Sequence, residues 1–126
     1  MTKTEKKIVV IAPYPLLKAF RTLIQSAPSL DLLAAEVNLS AVCKVTEKKP
    51  DIVLTYFERD HPSKAPEYTW SKKIEVLKDA WPGVYIIALI SDPRRRDEMR
   101  TSGADKVLFE GITPAYLLAI IEMVKL

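Results

Sequence analysis

Ile8-Val9-Val10-Ile11-Ala12, followed by Pro13-Tyr14-Pro15 and then by Leu16, Leu17, Phe20, Leu23 and Ile24, is the stretch on which the fold turns. Its first five residues are a continuous apolar run rich in β-branched side chains, the mark of a strand covered on both faces. The later ones recur at helical spacing as far as Pro28, so a buried strand passes into an amphipathic helix. The same alternation repeats outward from here. Residues 32–35 read as a second, weaker strand. Asn38 is placed to cap a helix with Ala41, Val42 and Val45 on its apolar side, ending at Lys48, Lys49 and Pro50. Residues 52–56 form a third apolar run, and the polar stretch 58–68, with Pro62 and Pro66, is a long loop. Trp70, Ile74, Leu77 and Trp81 share one helical face. After Pro82-Gly83, residues 84–90 are the most hydrophobic strand in the chain. Asp92 caps a helix opened by Pro93, which Gly103 closes with a left-handed residue. Residues 107–109 are a short fifth strand, and Thr113-Pro114 starts a last helix expected to run to Leu126.

The composition agrees with one globular domain over residues 1–126. Apolar residues are 48% of the chain and charged residues 28%, which excludes disorder, and 9 prolines against 3 glycines exclude a collagen-like or flexible repeat. The single cysteine, Cys43, excludes a disulfide framework and fits a reducing, cytoplasmic compartment. No secretion signal or membrane-length apolar run is visible. A net charge of +3, from 19 basic and 16 acidic residues, is too balanced to imply nucleic acid. The order βαβαβαβαβα builds an α/β fold, a doubly wound parallel sheet with helices on both faces. Ligands of such sheets sit beyond the carboxyl ends of the strands, which directs attention to residues 12–15, 56–60, 90–92 and 110–112.

At those ends the chain resembles a known family. Ile11-Ala12-Pro13-Tyr14-Pro15-Leu16-Leu17-Lys18 is similar to the first loop and helix start of the receiver domains of bacterial response regulators, the input modules of two-component phosphorelays. Pro50-Asp51-Ile52-Val53-Leu54 is similar to their third strand, and Gly103-Ala104-Asp105 to the turn into their fifth. The resemblance spans essentially the whole chain and implies the CheY-like, flavodoxin-like fold, a five-stranded sheet of order 2-1-3-4-5. It also says where the family's chemistry should be, and there the chain departs from the pattern. Tyr56 stands at the phosphoacceptor aspartate. Ala12 and Pro13 stand at the two acidic magnesium ligands. Ile90 replaces the hydroxyl residue ending the fourth strand, Glu110 the lysine ending the fifth, and Gly111 the proline after it.

Magnesium requires hard oxygen ligands, usually one or two carboxylates with water and phosphate, and Ala12 and Pro13 offer no side-chain oxygen. A phenol, with an ordinary pKa of about 10, needs an adjacent base to attack phosphorus. The expectation is a degenerate receiver without phosphoryl transfer, metal or cofactor, and not an enzyme. Tyr56 fills the vacated space, its hydroxyl seeking a polar partner at the strand end. One alternative keeps an enzyme: Glu58, Asp60, Asp92 and Glu110 could gather at one sheet edge around a divalent ion. Against it, Asp92 reads as a helix cap and the others as solvated charges, with Ser91 a cap candidate only. No glycine-rich loop marks a dinucleotide or P-loop site. Cys43, within an apolar helical pattern, reads as a small buried hydrophobe.

Other features suggest binding. From Pro114 onward only Glu122 and Lys125 are charged. Leu117, Ile120, Ile121 and Val124 suffice to cover the sheet, leaving Tyr116, Leu118, Ala119, Met123 and Leu126 as surplus apolar residues. Receivers commonly pair through the fourth helix, fifth strand and fifth helix, so the resemblance implies a homodimer there, with a signalling protein as a further partner. Arg94, Arg95, Arg96 and Arg100 make the start of the fourth helix basic, where they could meet an acidic partner or Glu122 or Asp105 of a second copy. The long loop 57–69 reads equally as a lid, a contact surface or a tolerated insertion. A second alternative makes the chain the N-terminal domain of a transcription regulator, without direct DNA contact of its own.

Overall fold

The protein is described by a computed structural model over residues 5–57 and 70–125. The elements alternate: β1 (Lys6–Ile11), α1 (Tyr14–Gln25), β2 (Leu30–Glu36), α2 (Leu39–Val45), β3 (Ile52–Phe57), α3 (Trp70–Ala80), β4 (Tyr85–Ile90), α4 (Arg96–Ser102), β5 (Lys106–Phe109) and α5 (Pro114–Met123). All strand pairs are parallel, in the order β2-β1-β3-β4-β5. β2 is longer than the apolar run alone indicates, because the edge strand also uses Asp31 and Glu36. The long loop 58–69, with Glu58, Asp60 and His61, lies outside the described residues.

Alternation along each strand sends side chains to opposite faces. Ile8, Val10, Ile52, Leu54, Ile87 and Leu89 pack beneath α1 and α5 with Leu17, Phe20, Ile24, Leu117 and Ile121. Val9, Val53, Ile86, Ala88 and Ile90 pack with Val42, Ile74, Leu77 and Met99 of α2, α3 and α4. The helix caps follow the sequence. Asn38 Oδ1 accepts from Ala41 N at 2.8 Å, and Thr113 Oγ1 from Tyr116 N at 3.3 Å. Asp92, ahead of a short 3₁₀ turn at Pro93–Arg95, accepts from Arg94 N at 3.1 Å. Gly103 ends α4 at φ +116°, a conformation L side chains rarely adopt.

Two expectations fail. Cys43 is exposed, as is Val45; α2 has only seven residues and buries Val42 alone, so its apolar pattern is wider than its contact. α5 ends at Met123, where Val124 turns to extended backbone.

The turn into β5 shows why an aspartate follows Gly103-Ala104. Asp105 Oδ2 accepts from Ile86 N at 2.8 Å and from Lys78 Nζ at 3.0 Å, while Asp105 N donates to Ile86 O at 2.9 Å. One side chain thus starts the β4–β5 ladder and ties α3 to it. Partial burial, and then the Asp105 carboxylate, push the neighbouring Tyr85 phenol above its ordinary pKa. Asp105→Ala leaves a part-buried amide unsatisfied and is expected to cost about 1–2 kcal/mol in urea unfolding, with the denaturant slope unchanged. A loss within the error of the wild-type value would show that the turn holds without it.

Candidate functional site

The carboxyl ends of the strands are assembled from the residues that the sequence singles out. β1 ends into Ala12, which is buried and donates its amide to Glu36 O at 3.1 Å. Pro13 follows as the N-cap of α1 without a side-chain hydrogen bond, and its carbonyl accepts from Leu16 N and Leu17 N. Pro13 and Pro15 have no amide hydrogen, so this loop offers an anion few backbone donors. Ile90, at the end of β4, is fully buried on the α2–α4 face. Ser91 sits beside it, its hydroxyl 3.4 Å from Phe57 O.

Tyr56 is half-buried on the opposite face, packed against the cluster under α1 and α5. Its hydroxyl donates to Glu110 Oε2. β3 and β5 are not neighbours in the sheet, so this bond passes over the end of β4 and joins two strands that share no ladder. Glu110 is positioned by its own amide, which donates to Ile90 O at 2.9 Å, and by Gly111 at φ +96°, which turns the chain toward α5. The sequence foretells a polar partner for Tyr56 but not which one, because the two residues lie 54 positions apart.

The remaining acidic and basic candidates are dispersed. Asp92 is buried and engaged with Arg94, whose Nε and Nη2 donate to Oδ1 and Oδ2 at 3.1 Å each. That hydrogen bond, with the charge behind it, raises the Arg94 guanidinium above its ordinary pKa. Arg95 pairs with Glu98 at 2.6 Å. Both pairs offset the cost of cations at a helix start. Arg96 and Arg100, one turn apart on α4, are exposed. Among the described residues no three His, Cys, Asp or Glu side chains converge as metal ligands would. Of the proposed acidic quartet, Glu58 and Asp60 lie outside the described residues.

On α5 the surplus apolar residues divide. Tyr116 is 61% exposed and Met123 75% exposed; with exposed Ala119 they form one outward row at i, i+3 and i+7. Phe109, at the end of the edge strand β5, is 37% exposed. Leu118 differs: it is half-buried and packs on the core under α1. It lies on the row of Pro114, which faces α1 across a cleft, and Glu122, whose carboxylate accepts from Ser29 Oγ at 3.2 Å.

No helix among the described residues is long and apolar enough to cross a membrane. No protein-family model and no curated protein matches the chain. Solved structures do. The beryllofluoride-activated receiver domain of DrrB, a Thermotoga maritima protein, superposes with a TM-score of 0.71 at 19% identity, covering 94% of this chain and 95% of that one. A CheY-like receiver domain protein from Methanospirillum hungatei gives 0.70 at 15% identity, with 94% and 91% covered. RcsB, solved as two dimers bound to two parallel DNAs, gives 0.75 at 11% identity; 94% of this chain matches 59% of that one. Strand order, helix placement and these superpositions together identify the fold of this chain as the CheY-like receiver fold of response regulators.

Proposed function

We propose that this chain is a receiver-like signalling domain that has given up phosphoryl transfer and works by protein–protein recognition, pairing with a second copy through α4, β5 and α5. The observation that carries the reading is the Tyr56–Glu110 hydrogen bond. It occupies the strand ends where the family resemblance puts an aspartate and a lysine, and it joins the same two strands with no phosphoacceptor between them. Ala12 and Pro13 bring no side-chain oxygen to the rim, and among the described residues no carboxylate pair stands there to hold a divalent cation. The outward row of Tyr116, Ala119 and Met123 on α5, the exposed Phe109 at the end of β5 and the exposed Arg96 and Arg100 on α4 supply the apolar and charged side chains that a recognition surface uses.

Incubation with acetyl phosphate and magnesium, followed by intact-mass measurement, is expected to leave the mass unchanged. Tyr56→Asp is expected to remain unmodified too, because a carboxylate at that position still lacks the metal that polarises the donor. A stable phosphorylated species on the wild-type chain sinks the reading.

RcsB favours a second reading, since this chain corresponds to 59% of that DNA-bound protein. The domain would then be the dimerising half of a transcription regulator. A reading frame that continues beyond Leu126 into a helix-turn-helix segment supports it, and a stop codon there removes it.

A further inference from the structure

Beyond the carboxyl ends of β3, β4 and β5, between α1 and the start of α5, lies an open cleft of about 520 Å3. Its walls are Leu16, Ala19 and Leu23 from one edge of α1, with Ile112 and Pro114 on the other side. Ligand sites of this size are commonly apolar, with a few polar groups that set orientation. Here the polar side chains are the Tyr56 hydroxyl and the Glu110 carboxylate, the only charged group among the described residues of the lining. Glu110 accepts from Tyr56 through Oε2, and among the described residues no lysine or arginine pairs with it. Tyr56 therefore steadies a carboxylate at the cleft that no lysine or arginine among the described residues neutralises.

A carboxylate with no cationic partner among the described residues, two aromatic rings (Tyr56 and Phe20) and hydrocarbon walls form a set with one chemical preference. A cationic nitrogen gains a charge-assisted hydrogen bond from the carboxylate and attraction to a ring face, while its carbon body leaves water against the walls. An anion meets repulsion and, past Pro13 and Pro15, few amide donors. We propose that this cleft is a binding site for a small organic ammonium ion, a primary amine carrying an aromatic or branched aliphatic body. The second carboxylate oxygen of Glu110 receives the ammonium group, and Leu16, Ala19, Leu23 and Ile112 enclose the body. None of Tyr116, Ala119 and Met123 lines the cleft, so the site is separate from the pairing surface and stands whether or not the chain dimerises.

The test is an amide NMR titration of the labelled chain with three probes of one shape: tryptamine, neutral tryptophol and anionic indole-3-propionate. Tryptamine is expected to shift the amides of Ala19, Leu23, Gly111 and Ile112 saturably, at least tenfold tighter than tryptophol, with no saturable response to indole-3-propionate. Glu110→Gln, a change at an exposed position, is expected to bring tryptamine to the level of tryptophol. Ala19→Phe, which fills the cleft from α1, is expected to weaken both. The proposal is overturned if tryptamine binds no tighter than tryptophol, if the shifts gather elsewhere, or if Glu110→Gln leaves its affinity intact. Because the glutamine variant keeps the fold's contacts, a failure of Ala19→Phe to fold does not protect the proposal.

Discussion

With Tyr116 and Met123 both changed to glutamate, the chain is expected to stay monomeric at every concentration at which the wild-type chain pairs. Both side chains are largely exposed on the outer row of α5 and contribute little to the core, so the fold itself loses almost nothing. At an interface the same positions become the buried centre. Truncating one central anchor typically costs about 2 kcal/mol or more, roughly 30-fold in affinity, and a carboxylate placed there adds its desolvation. Two such changes, carried by both copies, weaken association by at least on the order of a thousandfold. Light scattering over a concentration series reads the result, and a cooperative thermal transition at the midpoint that the wild-type chain has when diluted to a monomer shows that the variant is folded. Leu118→Glu is the instructive contrast. Leu118 packs on the core under α1, so a charge there is expected to lower stability rather than act selectively on pairing. A wild-type chain that scatters as a monomer throughout removes the pairing surface, as does a double variant that still associates.

The largest loss of stability is expected from Ile87→Ala. Ile87 is fully buried at the middle of β4, paired with Leu54 on one side and Lys106 on the other, and it faces the layer under α1 and α5. Deleting most of its side chain removes apolar burial and leaves a cavity between sheet and helices that cannot relax, because the strands on both sides are held by ladders. The expected cost is about 2–5 kcal/mol. With a urea slope of roughly 1–3 kcal/mol per molar, the unfolding midpoint falls by on the order of 1–3 M. A loss below about 1 kcal/mol would mean that the layer is loosely packed at its centre.

The sheet was legible because each strand is a short unbroken apolar run and each helix carries a period and a cap. Asn38, Asp92 and Thr113 accept hydrogen bonds where helix starts were expected, and Gly103 has the backbone of a helix end. Apolar pattern without contact is what misled. Val45 and Cys43 look like one face of a helix, but α2 is too short to turn more than Val42 against the sheet. Composition alone does not separate Leu118 from Tyr116 and Met123 either. Only the neighbouring helix decides which side of α5 is covered. The Tyr56–Glu110 bond was legible as a need and not as a pair, since a bond across an intervening strand leaves no trace in local spacing. At the start of α4, Arg94 and Arg95 pair with Asp92 and Glu98, partners only two and three residues away.

The uncovered sulfur on α2 has a practical consequence. Because Cys43 is the chain's one thiol and projects into solvent on the side of the sheet opposite α5, a nitroxide or a dye can be attached to the unaltered sequence at a single known point. Two copies joined along α5 would carry their labels on their far flanks, and copies meeting through α2 would bring the labels together. Electron-spin distance measurements on the tagged native protein therefore give the orientation of any assembly without a single engineered residue.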